Sequence, residues 1–147
     1  MDRTVIAAIA TALVGGLIAL QAPINSGLGK ATATFAAALV SFAVGTVLLL
    51  AVAIVSGDIG QIGGATSVRW YYLLGGVLGA AYVTTVLLTV RTLGAGGVTA
   101  ATVAGQLTTA VVIDRLGVLG LERTPVTTGR LIGIALLFAG TLLIVRT

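Results

Sequence analysis

Long stretches of this chain carry no charge at all. None lies between positions 4 and 22, between 34 and 55, between 70 and 90, or between 98 and 113. A helix needs about 20 apolar residues to cross a hydrocarbon layer of about 30 Å. Such runs cannot line a water-facing surface, and backbone in lipid must satisfy its own hydrogen bonds. The spacing predicts an all-α, polytopic transmembrane protein with five helices, at roughly 4–22, 34–55, 70–90, 98–117 and 128–146, in one domain over 1–147.

Composition closes the alternatives. Charged residues make up 8% of the 147, where a soluble domain carries about 25%. The net charge of +4 is carried by single Arg and Lys residues between apolar runs. They read as headgroup anchors, not as a nucleic-acid surface. With no Cys and no His, thiolate chemistry, imidazole bases and His/Cys metal sites are excluded. Asp2, Asp58, Asp114 and Glu122 are too far apart in sequence to suggest a carboxylate pair, so neither an enzyme nor a cofactor site is expected. The apolar start lacks an Ala-x-Ala cleavage pattern before Pro23 and reads as a first span.

The connections predict little outside the membrane. Ser56-Gly57-Asp58 reads as a helix stop, 91–97 as a tight glycine turn, and 114–127 as a polar link containing Pro125. Trp70-Tyr71-Tyr72 is expected at headgroup level. With the N-terminus inside, the inner cations are Arg3, Arg69, Arg115, Arg123 and Arg130, and the outer ones Lys30, Arg91 and Arg146. So small a bias is compatible with insertion in both orientations. No internal repeat is visible in the residues themselves.

Polar side chains inside spans are costly, so their placement informs. Tyr82, Thr85, Thr89 and Thr92 follow one face of the third span, and Thr99, Thr102, Gln106 and Thr109 one face of the fourth. They are expected either to line a polar interior or to hydrogen-bond within and between helices. Gln21 and Asn25 flank Pro23; they would line a broken-helix site or cap a helix that ends at the proline. Ser41 and Gly45 make a small-residue face on the second span, as Gly75 and Gly79 do on the third and Gly129 and Gly133 on the fifth. Asp114 follows an apolar run. It is the candidate proton carrier, with an interface ion pair as its alternative. The expected solute-binding set is Gln21, Asn25, Ser41, Tyr82, Thr85, Thr89, Thr102, Gln106 and Thr109.

Four motifs carry a family resemblance: Gln21-Ala-Pro-Ile-Asn25-Ser-Gly-Leu-Gly29; Ser41-Phe42-Ala-Val-Gly45-Thr; Trp70 before Gly75-Gly76-Val-Leu-Gly79-Ala-Ala-Tyr82; and Gly105-Gln106-Leu107 with Ile113-Asp114-Arg-Leu-Gly117. In this order they resemble the YdcZ-type family of the drug/metabolite transporter superfamily. The family's Pro-Arg before the turn between spans three and four is Val90-Arg91 here. The resemblance implies a five-helix half of an inverted-repeat transporter in a bacterial inner membrane. Such a half works as a dimer or beside a paralogous half, and exports small organic molecules. An odd span count with weak charge bias points to the same arrangement, an antiparallel homodimer. A small dual-topology channel and a non-transporting membrane subunit are the other readings.

Overall fold

The computed structural model describes residues 2–146. Helix α1 spans Arg3–Thr32, α2 Thr34–Ser56, α3 Leu74–Leu116 and α4 Thr128–Arg146. Short 3-10 turns at Asp58–Ser67 and Trp70–Leu73 connect α2 to α3. Helix accounts for 89% of the structure, and there is no strand among the described residues. Helix α3 is broken at Gly94, whose φ of 68° and ψ of 168° are not helical. Its limbs, 74–93 and 95–116, are each about 30 Å long at ~1.5 Å per residue. The chain therefore supplies five rods of bilayer length, and their surfaces are oily: Leu49 is 69% exposed and Val55 88%. Exposure of this kind along every helix identifies lipid as the solvent.

The ends of the helices follow from local chemistry. Asp2 caps α1 by accepting the Thr4 N–H at 3.2 Å. Pro23 lacks an N–H and removes the helical donor to the Ala19 carbonyl, yet α1 runs through it to Thr32. Gln21 and Asn25 are thus interior helix positions and cap nothing. Gly57, at φ 82°, ends α2 in the left-handed conformation. Ser56 Oγ donates to Asp58 Oδ2 at 2.9 Å and fastens the turn.

One residue, Ala33, separates α1 from α2. Its φ of 83° and ψ of 159° lie in a region that glycine alone adopts without strain. The helices fold back there as an antiparallel hairpin: a Cβ on Gly29 would stand 3.7 Å from Ala37 Cβ. Gly94 holds nearly the same backbone setting between the limbs of α3. The two joints bring a hidden correspondence into view. Lys30 stands three residues before Ala33, and Arg91 three before Gly94. In the same register Ala22 matches Val83, Asn25 matches Val86, Gly29 matches Val90 and Ala37 matches Val98; all eight are buried. Two helix–joint–helix segments thus repeat one burial pattern on dissimilar residues.

The chain divides into two compact units, Met1–Arg91 and Thr92–Thr147. The first has its core at Ala37, Ala38, Val83 and Leu87, with Leu28 and Tyr82 packed on it. Ala37 is wholly buried. In the second, the link after α3 is tied back to the helix ends. Arg123 Nε donates to the Leu116 carbonyl at 3.2 Å and Thr124 N to the Asp114 carbonyl at 2.9 Å. Gly117 must be glycine twice over, since its φ is 61° and a Cβ would overlap Arg123 Cγ.

Candidate functional site

In the first unit a groove of about 210 Å³ opens between α1 and α2, lined by Gln21, Ser41, Phe42, Gly45, Thr46 and Leu49. Ser41 and Gly45, one turn apart, cut it: a Cβ on Gly45 would meet nothing within 4 Å. Phe42 closes one side. Its ring also reaches α3, with Cζ 3.5 Å from where a Gly79 Cβ would stand.

The hydroxyls along the helices fall into two classes. Thr46 bonds back to the Phe42 carbonyl at 2.8 Å, Thr85 to Ala81 at 2.9 Å and Thr89 to Thr85 at 2.8 Å. These groups have spent their donors on their own helix, as serine and threonine commonly do in membranes. Ser41 has no such bond, so its hydroxyl is free to face the groove. Gln21, also unbonded, lies half-buried across from it.

Asn25 sits one turn beyond Gln21 on the same face of α1. It is only 5% exposed, and its carboxamide has no hydrogen-bond partner among the described residues. No described side chain holds a fully sealed polar atom without a partner, so the exposure that Asn25 retains is at its amide. That amide is unspent, and it lies one turn along α1 from Gln21, which lines the groove.

The first unit thus brings Gln21 and Ser41 together and sets Asn25 a turn away. Tyr82 belongs to the core of that unit. The second unit holds Thr102, half-buried, and Gln106 and Thr109, exposed. None of their side chains is bonded to another described residue. Asp114 there pairs with Arg130, Oδ2 to Nη1 3.1 Å apart, both side chains a little over one-third exposed. Sequence reasoning missed that partner, which lies a loop away, and it also missed Phe42 and Thr46 as lining. The second unit has a groove of its own, about 320 Å³, between the later limb of α3 and α4, lined by Ala100, Gly133, Leu137, Gly140 and Thr141 among others. Its one hydroxyl is occupied: Thr141 Oγ1 lies 3.1 Å from the Ala100 carbonyl and 2.8 Å from the Leu137 carbonyl. No group of three or more metal-ligating side chains occurs among the described residues.

The family described as "Putative inner membrane exporter, YdcZ" matches residues 6–143, nearly the whole chain. No curated protein and no solved structure matches it.

Proposed function

Because the chain belongs to the YdcZ family, we propose that this inner-membrane protein is a secondary transporter that exports small organic solutes by alternating access. The observation that carries the proposal is the α1–α2 groove. It holds two unspent polar groups, Gln21 and Ser41, with the unpaired Asn25 amide one turn further along α1. A solute enters by satisfying those groups and leaves when a second conformation withdraws them. Thr102, Gln106 and Thr109 are the unspent polar groups of the second unit, and Tyr82, Thr85 and Thr89 belong to the first.

Five rods make an odd number, and their cations are nearly balanced between the two sides. We take the working unit to be an antiparallel homodimer, in which two oppositely inserted copies supply the inverted halves that transporters use. Asp114 is the coupling candidate: protonation would release Arg130 and free the start of α4 to move.

Reconstitution into sealed liposomes tests the reading. Flux of a small organic solute should saturate with concentration, and Ser41→Leu, which fills the groove, should cut it at least tenfold without loss of assembly. Discrete conductance steps near ~10⁶ ions per second would contradict it, since a carrier needs a μs–ms rearrangement per cycle. For coupling, Asp114→Asn should abolish stimulation by a pH gradient; stimulation that persists would remove Asp114 from that role.

A further inference from the structure

We infer that the solute taken by the α1–α2 groove is an organic anion, its acidic group met by Lys30 and Arg91 and its uncharged body by Gln21, Asn25 and Ser41; this rests on the transport reading above.

Gln21, Asn25 and Gly29 are spaced by four along α1 and so follow one face, over about 12 Å of helix rise. At its upper end that face loses its side chain, and Arg91 fills the space: Nη2 lies 3.6 Å from where a Gly29 Cβ would stand. Leu87 Cδ2 at 3.5 Å and Ala37 Cβ at 3.7 Å complete the surroundings. The guanidinium therefore lies at the end of a polar track that begins in the groove and passes the unpaired Asn25 amide. Lys30 is next in sequence, and both cations are exposed.

Neither cation has a counter-charge among the described residues. The one ion pair among the described residues is Asp114–Arg130, in the other unit. The acids of the first unit are Asp2, before α1, and Asp58, after α2. In an antiparallel hairpin both stand at the end away from Ala33, about 40 Å of helix from Lys30. Near the joint the unit offers positive charge alone. An organic cation would find no partner there, whereas a carboxylate, sulfonate or phosphate would find the Arg91 guanidinium, with the Lys30 charge one residue beyond Gly29. Arginine suits such oxyanions, since its planar fork bonds two oxygens at once. A lipid headgroup phosphate has the same chemistry, and the test must separate it from a solute.

Three labelled probes of similar size serve: p-toluenesulfonate, p-toluenesulfonamide and trimethylphenylammonium, an anion, a neutral molecule and a cation. Equilibrium binding is measured on the intact protein in phosphatidylcholine nanodiscs, with thermal midpoints checking each variant's fold. The sulfonate should bind saturably and best of the three. Lys30→Gln and Arg91→Gln should each weaken it about tenfold, Arg91→Lys less, and both Gln variants should weaken the sulfonamide far less than the sulfonate. Preference for the ammonium probe would overturn the inference and leave transport intact. Sulfonate binding untouched by both Gln variants, with loss of co-purified phosphatidylglycerol, would also overturn it and assign the pair to a lipid headgroup. Sulfonate that binds as expected but never crosses a liposome wall would support the anion site and defeat the transport reading.

Discussion

Ala33 and Gly94 perform the same task with different residues. Each is a single residue between two bilayer-length helical segments, at φ 83° and 68°. Each has a cation three residues before it, and four positions buried around one have buried counterparts around the other. Yet the first joint places a methyl group where backbone geometry admits only glycine comfortably, and the second does not. The difference teaches that the setting is imposed by the packed helices and not by the residue at the joint. Around Ala33, the helices approach closely at Gly29, where a Cβ would stand 3.5 Å from Leu87, 3.6 Å from Arg91 and 3.7 Å from Ala37, and the strain is tolerated.

The comparison can be broken at the joints first. Gly94→Ala should introduce at the second joint the strain that the first already bears, lowering stability by roughly 2 kcal/mol. Thermal unfolding in detergent would show it, and an unchanged midpoint would mean that the two backbones are not equivalent. Ala33→Gly is the reverse exchange. It should raise stability by about 1 kcal/mol, the relief of strain less the added freedom of an unfolded glycine; a loss instead would deny strain at Ala33.

Hydroxyls sharpen the contrast between units at smaller scale. Thr141 bonds across to Ala100 as well as to its own helix, so Thr141→Ala should cost about 0.6 kcal/mol, the usual worth of such a bond in a membrane protein. Thr85 bonds only to its own helix, and Thr85→Ala should fall within ~0.3 kcal/mol of no effect. Equal losses at the two positions would erase the distinction between spent and linking hydroxyls.

The rods were legible because hydrocarbon thickness and the absence of charge leave little freedom. The break at 94 was legible too, in the glycines of 91–97. Ala33 was not, since alanine carries no turn signal and its conformation comes from tertiary packing. The overrun of α1 to Thr32 was only half legible, because proline inside a membrane helix can end it or be passed through. The correspondence between segments is written in burial and backbone angles and not in residue identity, and no scan for similar residues could find it. Near the groove, the spacing in the sequence put Gln21 with Asn25 on one face of α1 and Ser41 with Gly45 on one face of α2. It could not tell Ser41 from Thr85 or Thr89, for the direction of a hydroxyl is decided by its surroundings. Nor could it pair Asp114 with Arg130, which a loop separates.

The groove as a solute path is tested most directly at Ser41. The chain has no Cys, so Ser41→Cys gives one unique thiol. In sealed vesicles, a charged, membrane-impermeant methanethiosulfonate should label it when added outside or when loaded inside, and a transported solute should protect it. A thiol that no impermeant reagent reaches from either side would place Ser41 against lipid and contradict the account.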